Sequence, residues 1–193
     1  MTNFKKAFSF IYDNKVWGNG SGGGSSLENN TDYIKFLTDF IKENDIDYVV
    51  DFGCGDWQFS RHIVWGHTTY LGIDTVESVI ETNNKLFANS NIFFRVSYNL
   101  EDAPADLLII KDVFQHWNNK DITSFLKKYA KRYKYILCTN TINGSWQHET
   151  EPNVITRPIT ANEAQLKDFG FNVVKVIDQN KTDLKEIALL INK

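Results

Sequence analysis

Apolar positions in the first part of the chain recur at the spacing of an α-helix. Phe4, Phe8 and Ile11 fall on one side of such a helix, which predicts a short amphipathic helix within the first dozen residues. A second helix is predicted from Asn30 onward, with Asn30 or Thr31 as its N-cap. The apolar stripe of this second helix consists of Tyr33, Ile34, Leu37, Phe40 and Ile41.

Beyond residue 45 the pattern changes to short runs of β-branched and aromatic residues, which predict strands. Seven such runs lie at residues 47–52, 68–73, 92–96, 106–110, 133–138, 171–177 and 185–191. Helical patterns separate several of them, at residues 76–88, 120–131 and 161–169. Strands that alternate with helices in this way form βαβ units, so most of the sheet is predicted to be parallel with helices on both faces.

The connection between the last two predicted strands, residues 178–183, is too short for a helical crossover, so this pair is expected to be antiparallel. The predicted fold is a single-domain, doubly wound α/β sheet of seven strands, mostly parallel, with a C-terminal antiparallel hairpin. Residues 46–193 form the core of this prediction. Residues 1–45 supply the N-terminal helices and a glycine-rich segment that would cap the core.

The glycine-rich segment, residues 18–26, reads Gly-Asn-Gly-Ser-Gly-Gly-Gly-Ser-Ser. Glycine and serine maximise backbone freedom, so one interpretation is a flexible linker. The other is an ordered loop whose glycines let the backbone approach a ligand closely. Trp17, immediately before the segment, favours the ordered loop.

Composition excludes several functional classes. With 193 residues, 14% of them aromatic, the chain is too rich in core-forming residues to be disordered or fibrous. A net charge of −3 gives no general attraction to nucleic acid. The sequence contains no run of about 18 apolar residues, which is the length needed to cross a membrane. Cys54 and Cys138 suggest no disulfide framework and have no metal-ligand spacing with the histidines, so no metal and a cytoplasmic location are expected.

Two acidic residues lie at the carboxyl ends of the first two predicted strands. Asp51 comes just before Gly53 and Gly55, and Asp74 lies 19 residues beyond Gly55. In an open α/β sheet, ligands bind outside the carboxyl ends of the strands, where strand order reverses. The glycines permit a tight turn, and a carboxylate at the spacing of Asp74 can accept hydrogen bonds from both hydroxyls of a ribose.

The rest of this segment distinguishes two nucleotide ligands. NAD binding requires a third glycine where this chain has Gln58, and Asp51 would lie unfavourably close to a pyrophosphate. S-adenosylmethionine (SAM) carries a sulfonium and an ammonium but no phosphate, which suits Asp51. An NAD-linked oxidoreductase remains the alternative from another enzyme class.

Three segments resemble motifs of the class I SAM-dependent methyltransferases. They are Val-Val-Asp-Phe-Gly-Cys-Gly at 49–55, Leu-Gly-Ile-Asp at 71–74 and Lys-Asp-Val-Phe-Gln-His-Trp at 111–117. The resemblance covers roughly residues 46–191. In addition, Trp17 with the following glycine-rich segment and Leu-Glu-Asn at 27–29 resembles a smaller bacterial branch that begins with such a loop.

The class resemblance implies a SAM site at the first two strand ends. Asp51, Gly53, Cys54 and Gly55 would line the methionine part, and Asp74 would hold the ribose with Thr75 near the adenine. Tyr98 and Asn99 stand where the class commonly has an Asp near the adenine amino group. Asp112 would lie close to the methyl group, and the loop containing Trp17 would fold over cofactor or substrate.

Candidate catalytic residues are Asp112 and His116, which occupy the expected methyl-transfer face. His116 could be a general base that removes a substrate proton, or a surface histidine in a short turn. Residues 140–158 form a long loop expected over the reaction centre, with Trp146, His148 and Arg157 as candidate acceptor contacts.

The segment at 111–114, Lys-Asp-Val-Phe, lacks the Pro-Pro-aromatic motif of many nucleic-acid amino-methyltransferases. The predicted acceptor is therefore a small molecule or a glycan, methylated on oxygen or nitrogen. A protein or RNA methyltransferase and a non-catalytic SAM-binding subunit are the alternatives.

Overall fold

The computed structural model describes residues 2–143, 156–179 and 183–192. It contains a seven-stranded sheet in which the last strand runs opposite to the other six. The strands are β1 (Tyr48–Phe52), β2 (Thr69–Asp74), β3 (Ile92–Val96), β4 (Leu107–Lys111), β5 (Tyr135–Thr141), β6 (Asn172–Gln179) and β7 (Asp183–Ile191). Their order across the sheet is β3-β2-β1-β4-β5-β7-β6, which confirms the predicted fold with its C-terminal hairpin.

Helices cover both faces of the sheet, because each buried strand presents alternate apolar side chains to opposite sides. The helices are α1 (Thr2–Asp13), α2 (Thr31–Glu43), α3 (Glu77–Leu86), α4 (Asn119–Tyr129) and α5 (Ala164–Lys167). On β4, Leu107 and Ile109 belong to the apolar cluster on the α2 side. Leu108 and Ile110 belong to the cluster on the α4 side. No helix in the described ranges is long and apolar enough to span a bilayer.

Two local predictions differ from the structure. The helix predicted at 161–169 is shortened to Ala164–Lys167, and ahead of it the backbone N–H of Ala161 donates to Glu186 Oε1 on β7 at 2.6 Å. Asn30 occupies the N-cap position of α2, but its side chain makes no cap hydrogen bond there. Its amide instead donates to the carbonyls of Gly24 and Ser26, at 2.9 and 2.7 Å.

The sheet order creates a crevice beside β1. β1 lies between β2 and β4. After β1 the chain forms β2 and β3 on one side of it, and then crosses to the other side to form β4. The carboxyl ends of β1 and β4 then border an opening that no crossover connection fills. Residues from α1 and the glycine-rich loop, residues 18–26, line the same opening.

Candidate cofactor and active site

A cavity of about 870 Å³ opens at the carboxyl ends of β1, β2 and β4. Every residue that the sequence singled out as a cofactor contact or as catalytic lines it. These residues are Trp17, Asp51, Gly53, Cys54, Gly55, Asp74, Thr75, Tyr98, Asn99, Asp112 and His116. The volume lies in the range of sites for nucleotides and drug-sized ligands. The fold thus brings together residues that are up to 99 positions apart in the sequence.

The two glycines after β1 adopt backbone conformations that favour glycine, with φ of +83° at Gly53 and +54° at Gly55. Sequence reasoning assigned their bare backbone to a ligand. The structure shows that the chain itself also approaches closely. A Cβ on Gly53 would lie 2.4 Å from a methyl group of Val113, and a Cβ on Gly55 would lie 2.4 Å from Ser21 Oγ. A side chain at either position would displace the cavity wall.

Ser21 fixes the glycine-rich loop to the turn that follows β1. Its backbone N–H donates to Asp56 Oδ2, and the N–H of Asp56 donates to Ser21 Oγ, both at 3.1 Å. The hydroxyl of Tyr12 on α1 lies 2.6 Å from the same Oγ. The ordered-loop interpretation therefore describes this segment, and the linker interpretation does not.

Asp51 is a buried carboxylate, 5% exposed, that has no cationic partner within 4 Å among the described residues. The hydroxyl of Tyr70 donates to its Oδ2 at 2.7 Å. Burial raises the pKa of Asp51 to about 6, although the hydrogen bond from Tyr70 and the charge of Lys111 act in the opposite direction. A cationic group bound beside Asp51 would stabilise its ionised form.

Asp74 is held by the backbone of the adjacent turns. Its Oδ2 accepts the N–H of Gly55 at 3.1 Å, and its Oδ1 accepts the N–H of Val76 at 3.0 Å. Burial raises the pKa of Asp74, while these N–H groups partly offset the effect. Next to it, the Oγ1 of Thr75 is buried without a hydrogen-bond partner in the described part of the chain. This pair presents acceptor and donor groups to a hydroxyl-bearing ligand.

Asp112 lies between two buried lysines. Its Oδ2 accepts from Lys111 Nζ at 2.5 Å and its Oδ1 accepts from Lys185 Nζ at 2.7 Å. Lys185 also donates to Thr141 Oγ1 at 2.6 Å and lies 3.3 Å from Asp183. Burial acts to raise the pKa of Asp112, but the two ammonium groups outweigh it and hold the pKa well below its usual range. The two ammonium groups therefore hold Asp112 in its ionised form.

Sequence reasoning missed both lysines. Lys111 is the first residue of the motif at 111–117, and an adjacent Lys-Asp pair at a strand end is a signal that could have identified it. Lys185 carries no such signal, because it reaches the cavity through the pairing of β5 with β7, where it stands opposite Thr141.

His116 is buried, 5% exposed, in a short 3₁₀ turn, Phe114–His116. Its ring stacks on Trp17 with centroids 5.6 Å apart and meets the edge of Phe8 at the same distance. The interpretation as a surface histidine is therefore wrong. The imidazole belongs to an aromatic wall formed by α1, Trp17 and this turn.

Arg157 does not line the cavity, contrary to its prediction as an acceptor contact. Its guanidinium donates to the carbonyl of Trp117 at 3.0 Å and to Asn119 Oδ1 at 2.5 Å. Arg157 thereby supports the turn that carries His116. The other two candidates in this loop, Trp146 and His148, lie outside the described residues.

Neither a model of a known protein family nor a curated protein matches the sequence. Solved structures do match. Magnesium protoporphyrin IX methyltransferase from Synechocystis PCC 6803, with bound S-adenosylhomocysteine (SAH), has a TM-score of 0.69 at 12% identity, with 99% of this chain and 97% of that chain covered. The methyltransferase domain of bacterial CtHen1-CN has a TM-score of 0.64 at 14% identity, covering 85% and 100%. The N-terminal domain of EvdMO1, crystallised in the presence of SAH and D-fucose, has a TM-score of 0.63 at 12% identity, covering 96% of both chains.

Identities this low establish a shared architecture. The similarity extends over nearly the whole of this chain. The chain has the Rossmann-like fold of the class I methyltransferases.

Proposed function

We propose that this protein is a SAM-dependent methyltransferase. The observation that carries the proposal is Asp51, a buried carboxylate on a cavity wall that forms no ion pair within 4 Å in the described part of the chain. A phosphate-bearing dinucleotide would be repelled there, whereas a ligand with an ammonium and a sulfonium would be stabilised. Similar structures with bound SAH and with bound SAM support the same ligand class.

The cavity residues fit SAM in chemical type. Asp51 binds its ammonium, and Gly53, Cys54 and Gly55 form the adjacent wall. Asp74 accepts the ribose hydroxyls, and the unpartnered Thr75 hydroxyl provides a further polar contact. The segment with Tyr98 and Asn99 borders the adenine, and Trp17, immediately before the glycine-rich loop, covers the cofactor.

When bound, SAM would supply an activated methyl group: the acceptor bonds to the methyl carbon as the C–S bond breaks, and SAH is the leaving group. The protein then has to align the acceptor and exclude water, and it needs no covalent nucleophile. We assign His116 as the base that accepts a proton from a hydroxyl acceptor. Asp112 fixes Lys111 and Lys185 at the cavity wall. His116→Gln should lower turnover without changing SAH affinity, and unchanged turnover would remove the base role.

We further propose a small-molecule or glycan acceptor. Aromatic residues form much of the wall near His116, namely Phe4, Phe8, Trp17 and Trp117. Such walls suit planar or sugar-like ligands, which they contact through ring faces. The magnesium protoporphyrin enzyme and the EvdMO1 domain crystallised with D-fucose are consistent with this class.

We also propose that the protein belongs to the bacterial branch that begins with the N-terminal loop. We further propose that it is located in the cytoplasm.

Isothermal titration calorimetry with SAH and with NAD tests the ligand class. We expect SAH to bind and NAD not to bind, because Asp51 and Gln58 disfavour a pyrophosphate. Tight NAD binding without SAH binding would refute the proposal. Methyl transfer from SAM to a panel of hydroxyl and amine acceptors then separates an enzyme from a SAM-binding subunit, which would bind SAM and methylate nothing.

A further inference from the structure

Asp51 and Lys111 place opposite charges side by side on one wall of the cavity without joining them. Asp51 pairs with Ile109 between β1 and β4, so Lys111 lies two residues further along β4 on the same face. Both side chains are buried, 5% and 7% exposed, and both line the cavity. No ion pair within 4 Å links them.

The two lysines next to Asp112 differ in how completely they are paired. Lys185 contacts two carboxylates, those of Asp112 and Asp183. Lys111 shares Asp112 with Lys185 and has no second carboxylate within 4 Å in the described ranges. Lys185 thus has a carboxylate of its own in Asp183, whereas the carboxylate that Lys111 contacts in the described ranges is shared with Lys185.

The remaining surroundings of Lys111 confine its ammonium without neutralising it. Its Nζ lies 4.9 Å from the ring centre of Phe59 and 5.6 Å from that of Tyr33. It also donates to the carbonyl of Gly24 in the glycine-rich loop at 3.3 Å. Ring faces attract a cation weakly and hold it in place. A ligand anion at this point would find a positioned charge-assisted donor.

We propose that Lys111 binds the carboxylate of the amino-acid end of SAM, while Asp51 binds the ammonium on the same carbon. The inference rests on the proposed function. A free α-amino acid carries these two opposite charges on one carbon, and unlinked opposite charges on one wall match that arrangement. Burial, together with the charge of Lys185, lowers the pKa of Lys111, and a bound carboxylate would counter this effect.

Decarboxylated SAM tests this assignment, since it keeps the ammonium and lacks only the carboxylate. We expect calorimetry to show that the wild-type protein prefers SAM over decarboxylated SAM by on the order of tenfold or more, as for a hydrogen bond between charged groups. Lys111→Met should lower SAM affinity by a similar factor and leave decarboxylated SAM nearly unchanged. The ratio of the two affinities should therefore approach one.

Lys185→Met is the matched control, because it removes the other ammonium bound to Asp112 but not the charge beside Asp51. This control should retain the preference for SAM, and Lys111→Arg, which keeps the charge, should retain most of it. A Lys111→Met protein that still prefers SAM, or an equal loss of preference in both Met variants, would overturn the assignment. Failure of wild-type protein to bind either compound would instead refute the proposed function.

Discussion

Asp51 and Asp112 lie at the same edge of the sheet, one on β1 and one directly after β4, yet their surroundings are opposite. Asp112 accepts hydrogen bonds from two lysine ammonium groups. Asp51 accepts one from the neutral hydroxyl of Tyr70. Burial raises the pKa of Asp51 to about 6, whereas the two lysines bring the pKa of Asp112 far below the normal value.

The difference separates a structural carboxylate from a binding one. A buried charge that the chain neutralises contributes to folding, and its removal leaves partners unpaired. A buried charge that the chain does not neutralise costs free energy in the absence of ligand and regains it when a cation binds. Sequence motifs do not distinguish the two, since both aspartates lie at the carboxyl end of an apolar run, next to a tight turn.

The largest expected effect comes from Asp112→Asn. Asparagine tolerates the positive φ of 58° at this position, so the substitution removes charge with little backbone strain. Two buried lysines would lose their shared carboxylate, and the free energy of unfolding should fall by about 3–5 kcal/mol. Urea denaturation at pH 7 measures this change.

Asp183→Asn provides the control for that experiment. The same substitution removes a carboxylate 3.3 Å from Lys185, but this side chain is 33% exposed. Solvent screening should limit the loss to about 1 kcal/mol or less. If Asp112→Asn were no more destabilising than Asp183→Asn, the structural role of Asp112 would be wrong.

Asp51→Asn should have the opposite effect on stability. The pKa of Asp51 is about 6 in the folded protein, compared with roughly 3.9 for an unperturbed Asp, so its ionised form destabilises the ligand-free fold at pH 7. The amide should increase the free energy of unfolding by on the order of 2 kcal/mol. It should also weaken SAH binding about tenfold or more, because the ammonium loses its charged partner. Urea denaturation and calorimetry on one protein preparation measure both changes.

These two results have to occur together. A more stable variant with unchanged SAH affinity would place the ammonium elsewhere in the cavity. A less stable variant would mean that Asp51 supports the fold as Asp112 does, and the comparison between the two aspartates would no longer hold.

Local sequence patterns predicted the strands well because a buried strand needs a short run of apolar residues. The run at 92–96 corresponds to β3 without change, and the others differ at their ends. The largest shift is at β5, which extends to Thr141 where the apolar pattern has already ended. Pairing with β7 continues through these polar positions, so the boundary depends on a neighbour 44 residues away.

The cavity residues show the same contrast. Residues whose position depends on nearby sequence were predicted, whereas residues whose position depends on distant strands were not. Asp51, Asp74 and the glycines were found because their spacing along the chain reflects one turn and one strand. The contact of Lys185 with Asp112 spans 73 residues and depends on strand register. Arg157 was misassigned for the same reason, since the turn it supports is 40 residues earlier in the sequence.

The pH dependence of SAH binding is the smallest of these effects and tests the charge state of Asp51 directly. A proton competes with the ligand ammonium for Asp51, so affinity should fall about tenfold per pH unit below pH 6 and become constant above it. The sign for the ligand-free fold is opposite: stability contributed by the protonated carboxyl is present at low pH and is lost as pH rises through about 6. Calorimetry from pH 5 to 8 should show the fall in SAH affinity below pH 6 in the wild-type protein and no such fall in Asp51→Asn. An equal slope in both proteins would assign the titration to another group.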